Sequence, residues 1–146
     1  MSLVRNSYAM AVAVFLLAGC GTDAEELSGA KARVVAEADP ICVETREKVG
    51  DLGSDPAAER DAVQSAADRL KAIDIPGEDQ TQYKVFQTHV QNMALSLEDL
   101  SQSRQVASPS QERAQTALDR ARQSHDLAKQ AAASYGFIEC SQGLAQ

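Results

Sequence analysis

The feature of this sequence that most constrains its fold is a set of four segments in which apolar residues recur at alternating steps of three and four. This spacing places the apolar side chains along one face of an α-helix, which completes a turn about every 3.6 residues. The stripe of the third segment is the most regular, and its members are Tyr83, Phe86, Val90, Met93, Leu97 and Leu100. No segment shows the period-two alternation of a half-buried strand. The sequence therefore predicts an all-α protein.

Proline and glycine residues separate the four segments and set their expected bounds. The spacing predicts helices over residues 28–52, 56–73, 78–105 and 109–135. Short connections are typical of antiparallel neighbours, so the expected architecture is an up-down four-helix bundle. Ser108, followed by Pro109 and Gln111, predicts a capping box at the start of the fourth helix. Gly136 is well placed as the left-handed cap at the end of that helix.

Individual residues add detail to the prediction for three of the four helices. Pro40 lies inside the first segment and predicts either a kink or a restart of the helix, with Asp39 as a local cap. Ser54 or Asp55 is expected to cap the second helix, because Pro56 suits its first turn. The stripe of the fourth segment is mostly alanine, and its members are Ala114, Leu118, Ala121, His125, Ala128, Ala132 and Tyr135.

The start of the chain combines one basic residue, Arg5, with an apolar run from Ala9 to Ala18. The run is shorter than the roughly 20 apolar residues that cross a bilayer core. A basic start, an apolar centre and small residues at the end are the parts of a secretory signal peptide. An ordinary signal peptide with an incidental cysteine and a retained membrane helix are the two alternatives to a lipoprotein signal.

The four residues "LAGC", Leu17 to Cys20, resemble the lipobox of bacterial lipoproteins. The resemblance implies acylation of the Cys20 thiol and cleavage after Gly19. Each buried CH₂ of an acyl chain contributes about 0.8 kcal/mol, so two or three chains hold a protein far more firmly than one. The expected organisation is a signal peptide over residues 1–19, a lipidated cysteine with a polar tether over 20–28, and a four-helix domain over 29–146.

The charge of the chain limits its partners. The formal net charge is −7, and removal of Arg5 with the signal peptide makes it −8. An acidic balance argues against nucleic acid, whose phosphates require clustered Lys and Arg. It also argues against adhesion to anionic lipid headgroups. The expected location is the extracytoplasmic side of the cell membrane, with the acyl chains rather than the protein surface providing the attachment.

The two remaining cysteines, Cys42 and Cys140, are expected to form a disulfide, because an even pair in an exported chain enters an oxidising compartment. The alternative is two free buried thiols. Aromatic residues make up only 4% of the chain and tryptophan is absent, so the expected core is thin and made of small side chains. A bridge that closes a loop of about 100 residues contributes roughly 4–5 kcal/mol in the chain-entropy description.

The stretches "ADPICVET" and "AAASYGFIEC", near the two ends of the helical domain, resemble a pattern of small extracytoplasmic helical proteins and lipoproteins of actinobacteria. In that family a cysteine of the first helix pairs with a cysteine shortly after an alanine-rich last helix. The resemblance implies a helical fold and a bridge between Cys42 and Cys140, and it implies no activity. Pro40 departs from the unbroken first helix of that pattern.

The sequence contains no motif that specifies a reaction. The spacings Cys-x-x-Cys-His, His-x-x-x-His and Glu-x-x-His are missing, as is Gly-x-Ser-x-Gly, and the Ser-x-x-Lys at residues 28–31 lacks its companion motifs. His125 is a weak candidate for a haem or metal ligand, with Met93 opposite. The alternative is a partly buried histidine bonded to water or a neighbouring side chain. We therefore expect neither an enzyme nor a resident cofactor.

The leading interpretation is a non-catalytic binding or structural module of the cell envelope that acts through a protein partner. One alternative is a carrier that holds a small ligand, haem or metal within the bundle through His125. A hydrolase whose site the sequence does not show is a third. Residues 80–92, at the start of the third helix, are rich in Gln and Thr outside the apolar stripe and offer a weak polar surface for a partner.

Overall fold

The computed structural model describes residues 29–106 and 110–146. It contains the helices α1 (Gly29–Val49), α2 (Pro56–Lys71), α3 (Gln80–Gln105) and α4 (Gln111–Tyr135), followed by a 3₁₀ turn (Cys140–Gln142). Consecutive helices pack against one another, and the described part of the chain contains no strand. The prediction of an all-α four-helix bundle is confirmed. The predicted signal peptide lies outside the described residues.

Two helix ends follow the expected capping chemistry. The Asp55 carboxylate accepts a hydrogen bond from the Ala58 backbone N–H, and Pro56 occupies the first turn of α2, so Asp55 rather than Ser54 is the cap. At the end of α4, Gly136 has a φ of 101° and donates its backbone N–H to the Ala132 carbonyl. A residue with a side chain is strained at this left-handed φ, which is why glycine stands there.

The predicted start of α4 is wrong. The helix begins at Gln111, and the Ser110 hydroxyl accepts the Arg113 backbone N–H as its cap. The sequence offers two serines as caps, and Ser110 has the extended backbone and the three-residue spacing that capping requires. The expected cap, Ser108, lies outside the described residues.

The other helices are a few residues shorter than their sequence patterns predict. Helix α1 ends at Val49 rather than at residue 52, because Gly50 adopts a left-handed φ of 57°. Helix α2 ends at Lys71, before the turn that contains Pro76. Helix α3 begins at Gln80 rather than at residue 78.

Helix α1 continues through Pro40 without a restart. Proline removes one helical hydrogen bond, because its nitrogen carries no hydrogen. Pro40 is exposed, and so is Ala36, whose carbonyl that bond would have used, so water can satisfy the free carbonyl. Asp39 does not act as a local helix cap, which corrects the sequence prediction.

Helix α3 supplies the large side chains of the core. All six members of its predicted stripe are at most 1% exposed. Helix α4 supplies small side chains instead, and its buried residues are Ala117, Ala121, Ser124, Ala128, Ala132 and Tyr135. In the predicted stripe of α4, Ala114 and Leu118 are partly buried and pack against the core, and His125 is partly buried without belonging to it. Because Ala117 and Ser124 are small, they allow close packing against α3, and the larger side chains point to the edges of that contact.

The residues after α4, 136–146, form what we call the C-terminal segment. It lies between α1 and α4, because it is bonded to α1 on one side and contacts His125 and Lys129 of α4 on the other. Within the described residues, no Cα atom of α1 comes within 8 Å of a Cα atom of α4. The segment therefore lies between the backbones of the first and last helices and completes the bundle there.

Candidate functional site

Cys42 and Cys140 form a disulfide, as the sequence predicts. Their Cα atoms are 5.1 Å apart, and the two residues are separated by 98 positions in the chain. Both are buried. Cys42 lies in the middle of α1, so the chain turns back after Gly136 and runs along the bundle to reach it. The bridge fixes the C-terminal segment against α1.

The Asp39 carboxylate binds the backbone of the C-terminal segment. Its two oxygens accept the N–H groups of Ile138, at 3.1 Å, and of Cys140, at 3.0 Å. Asp39 is buried, and these bonds satisfy donors that follow the end of α4. From the sequence, Asp39 is expected to cap its own helix, because the next residue is proline. No local pattern indicates a partner about a hundred residues away.

Arg46, two turns further along α1, binds the same segment. Its guanidinium donates to the Glu139 carbonyl at 3.0 Å and the Gly143 carbonyl at 3.1 Å, and it pairs with the Glu139 carboxylate at 2.8 Å. The Gln146 backbone N–H then donates to the Gly50 carbonyl at 2.8 Å. These contacts show that the segment runs parallel to α1. Sequence analysis missed Arg46, which lies on the helix as an ordinary basic residue of the last turn.

His125 packs beneath the C-terminal segment. Its side chain is 13% exposed, and its Nε2 atom is buried without a hydrogen-bond partner. Gly143 covers that nitrogen so closely that a Cβ added at position 143 would overlap Nε2. Burial lowers the pKa of His125, the neighbouring Lys129 lowers the pKa further, and Asp126 opposes both effects.

A metal or haem bound to His125 through Nε2 would have to displace Gly143. The described residues include no group of three or more His, Cys, Asp or Glu side chains arranged to hold a metal ion. Met93, the expected second ligand, is fully buried in the core. The geometry around His125 fits a structural contact with the C-terminal segment.

A buried carboxylate that sequence analysis missed is Glu59. It accepts the backbone N–H groups of Gly53 and Asp55, both at 2.7 Å, and the Ser54 hydroxyl at 3.1 Å. These groups precede α2, where backbone donors have no helical partner. Glu59 thus closes the turn that connects α1 to α2. All of its partners belong to the fold, so it leaves no free group for chemistry.

The four aromatic residues of the described chain form one cluster at the end of the bundle where α4 finishes. The rings of Tyr135 and Phe137 stack with centroids 4.6 Å apart, and Tyr83 and Phe86 meet them at larger angles. Lys31 lies over the Tyr135 ring at 4.9 Å, which brings the start of α1 to this end. Burial, with Asp79 as a second cause, raises the pKa of Tyr135 to about 12. The stripe of aromatic residues is therefore core, as expected.

Near residues 80–92, a surface depression lies between the second half of α2 and the first half of α3. We call it the α2–α3 groove, and it is bounded by Lys71, Ile75, Lys84, Gln87, Thr88 and Asn92. Two cavities of about 370 and 380 Å³ make up the groove, and Lys71, Lys84 and Gln87 line both. The polar surface that the sequence indicated on α3 is therefore one wall of a groove.

The charge of this groove is opposite to that of the whole chain. Lys71 and Lys84 are both exposed, and neither pairs with a carboxylate among the described residues. Asp74 is the one carboxylate that lines the groove in the described chain, and Arg33 donates to its backbone carbonyl and lies 3.7 Å from its side chain. Residues 80–97 of α3 contain no Asp or Glu.

The floor of the groove is fixed by hydrogen bonds. The Tyr83 hydroxyl and the Gln87 side-chain amide both donate to the Leu70 carbonyl, at 2.8 and 3.1 Å. The Gln91 amide donates to the Gln64 side chain at 3.1 Å. These contacts join α2 to α3, so the polar groups of the groove are held in place before any partner binds.

His89, the other histidine of the chain, is half-buried and lines a cavity of about 400 Å³ on α3. Glu98 pairs with Arg60 at 3.0 Å, and Asp99 beside it is exposed, so this acidic pair does not converge on one atom. Cys20 and Gly19, the predicted lipidation and cleavage residues, lie outside the described residues.

The fold and these contacts define a class of protein: an all-α four-helix domain closed by a disulfide-linked C-terminal segment. None of its helices, within the ranges the structure describes, has the length and apolar character to cross a membrane. No protein-family model, curated protein or solved structure significantly matches the chain.

Proposed function

We propose that this chain is an extracytoplasmic lipoprotein that serves as a non-catalytic binding module of the cell envelope. The observation that carries the proposal is the buried bridge between Cys42 and Cys140. Disulfides persist in oxidising compartments outside the cytoplasm and are rare inside it. The bridge supports export, and export is the setting in which the sequence "LAGC" acts as a lipidation signal.

The position of Cys20 supports a domain held close to the outer face of the cytoplasmic membrane. Gly29, the first residue of α1, lies nine positions after Cys20. An extended chain spans at most about 3.6 Å per residue, so the tether reaches roughly 30 Å. A lipidated Cys20 would keep the domain within that distance of the lipid headgroups.

The distribution of uncommitted polar groups supports binding at the α2–α3 groove. Asp39, Arg46 and Glu59 use their charges to hold the fold together. Among residues 29–106 and 110–146, Lys71 and Lys84 make no such contacts, and both are exposed. A protein partner is therefore expected to contact this groove.

The lipid anchor is tested by Cys20→Ser, which removes the acylated sulfur. We expect loss of fatty-acid labelling and release of the protein from the membrane fraction. The control is the double variant Cys42→Ala/Cys140→Ala, which should keep both the label and the membrane location. Continued tight membrane binding of Cys20→Ser would indicate a retained N-terminal helix instead of a lipid anchor.

The binding role is tested by placing a photo-crosslinking residue at Thr88, which lines the groove. The same residue at Gln123, an exposed position on α4, is the matched control. We expect a discrete crosslinked partner from position 88 in intact cells and none from position 123. Equal products from both positions would contradict a partner site in the groove.

The second candidate function is a haem or metal carrier, and the observation that favours it is the unpartnered Nε2 atom of buried His125. Binding there requires movement of the C-terminal segment away from His125. The test is absorbance and metal content of the protein purified from membranes. Stoichiometric haem or metal that His125→Ala loses would support a carrier, and protein without either would favour the binding module.

A further inference from the structure

We infer that the α2–α3 groove is the docking surface for an acidic, extended polypeptide segment of a protein partner. The inference rests on the proposed function, which assigns a binding role but no partner chemistry. Three properties of the groove carry it: the sign of its charge, the orientation of its amide side chains, and the positions of its partly exposed apolar side chains.

Charge complementarity selects an acidic occupant. The chain carries 21 acidic and 14 basic residues, so an acidic partner is repelled by most of its surface. The groove differs in its charge, since Lys71 and Lys84 line both of its cavities and Asp74 is the one carboxylate among its described lining residues. An acidic segment is repelled by the acidic surface of the chain and attracted by the lysines of the groove. This difference determines where and in which orientation the segment docks.

The amide side chains of the groove fit a peptide backbone. The side-chain nitrogens of Gln87 and Gln91 are bonded to groups of α2, while their oxygens accept no hydrogen bond within the described chain. The oxygens are therefore oriented acceptors for backbone N–H groups, and Asn92 beside them offers both a donor and an acceptor. Because these side chains are already ordered, binding costs little further side-chain entropy.

Apolar side chains at one end of the groove fit a segment that is not uniformly charged. Ile73 and Ile75 are partly buried there and line the cavity that Lys71 and Lys84 share. An extended segment that alternates acidic and apolar residues presents both kinds of side chain to this surface. A polyanion such as nucleic acid would meet only two lysines here and an acidic surface around them.

The test uses the full chain purified from membranes in a non-ionic detergent. The probe is a short fluorescent peptide that alternates Glu with Ile and Ala, and the comparison peptide has Gln in place of each Glu. We expect fluorescence anisotropy to show binding of the acidic probe, with at least about tenfold weaker binding of the Gln peptide. Binding should weaken several-fold between about 50 and about 300 mM salt, because salt screens exposed charges. Equal binding of the two peptides, or no binding of either, would overturn the inference.

The decisive variant is Lys71→Glu/Lys84→Glu, which reverses the charge of the groove. We expect at least about tenfold weaker binding of the acidic probe. Its matched control is Arg113→Glu/Arg120→Glu, which changes the net charge equally at exposed positions near the start of α4. The groove variant should also gain affinity for a Lys-containing version of the peptide, which an unfolded variant would not do. An equal loss in the control variant would show general attraction rather than a docking site.

Two other occupants of the groove, the chain's own tether and a second copy of the chain, are distinguished from an acidic partner segment by further variants. If neutralising the tether in Asp23→Asn/Glu25→Gln/Glu26→Gln strengthens probe binding, the chain's own tether occupies the groove and the inference is overturned. Self-association that Lys71→Glu/Lys84→Glu abolishes would identify a second copy and overturn it as well. If the proposal of a lipid anchor is wrong, Cys20→Ser stays in the membrane fraction, and the binding of the peptide is unchanged.

Discussion

At the end of the bundle where α4 finishes, Tyr83, Phe86, Tyr135 and Phe137 contact one another. At the opposite end, where α4 begins, the buried residue of that helix is Ala117, and Leu100 of α3 supplies the nearby large side chain. We call these the aromatic end and the alanine end. Each aromatic side chain buries roughly 150–250 Å², several times the area of a methyl group, so apolar burial is concentrated at the aromatic end.

Two kinds of polar contact hold the backbone outside the helices. On the side of the C-terminal segment, Asp39 and Arg46 bind backbone that is distant in sequence, and the disulfide ties the same two pieces of chain. Near the alanine end, Glu59 binds the backbone of the turn immediately before its own helix. The difference teaches that long-range contacts hold the C-terminal segment along α1, up to the Gln146–Gly50 bond beside the α1–α2 turn, whereas Glu59 adds local capping at that turn.

The largest expected effect is that of removing the disulfide. We expect Cys42→Ala/Cys140→Ala to lower the free energy of unfolding by about 4 kcal/mol, because the unfolded chain regains a loop of nearly a hundred residues. Urea unfolding followed by circular dichroism measures the change. Cys20→Ser, which leaves the bridge intact, is the control. An unchanged unfolding midpoint would show that the aromatic end needs no covalent support.

A paired truncation on α3 compares the apolar contribution of the two ends. Phe86→Ala is expected to cost about 4 kcal/mol and Leu100→Ala about 3 kcal/mol, because both side chains are fully buried and leave cavities of different size. The measurement is the free energy of unfolding of each variant under the same conditions. A larger loss from Leu100→Ala would reverse the comparison between the two ends.

Glu59→Gln tests the local capping near the alanine end. We expect a loss of about 2 kcal/mol, since a buried amide replaces one acceptor oxygen by a donor opposite backbone N–H groups. Glu47→Gln, at an exposed position of α1, should change stability by less than about 0.5 kcal/mol. Similar results for both variants would mean that Glu59 does not hold the turn.

The smallest expected effect is the pH dependence that His125 confers on the C-terminal segment. Because its pKa is lowered in the folded protein, the unfolded chain binds the proton more readily. Its stabilising contribution is therefore complete above the unfolded pKa of about 6.5 and is lost as the pH falls through the folded value. The free energy of unfolding should decrease with acidification, and His125→Asn should reduce this slope. An unchanged slope in that variant would assign the dependence to other groups.

Much of the fold could be predicted from the sequence, because helix periodicity and capping act over a few residues. The stripe of α3, the Asp55 cap and Gly136 follow from such local rules. The start of α4 could not be fixed, since Ser108 matches the capping box with Gln111, whereas Ser110, the cap in the structure, is followed three residues later by Arg113. The face of α4 was assigned by apolar content, whereas the packing favours small side chains such as Ser124, whose size matters more than its polarity.

The candidate site could be predicted only in part. The composition of residues 80–92 indicated a polar surface, but it did not show that Lys71 of α2 lies beside Lys84 of α3. The two residues come together because the chain reverses between these helices. His125 was placed on the right helix, while its contact with Gly143 depends on the return of the C-terminal segment.

The sequence by itself determined the four helices, the breaks between them and the pair of cysteines available for a bridge. Only the tertiary structure decided the roles of Asp39 and Arg46, which bind backbone 93 to 101 positions away. Periodicity and capping are set by neighbours within about one helical turn, so they are visible in the order of residues. A contact between α1 and the C-terminal segment depends on how all four helices pack, and no local pattern encodes it.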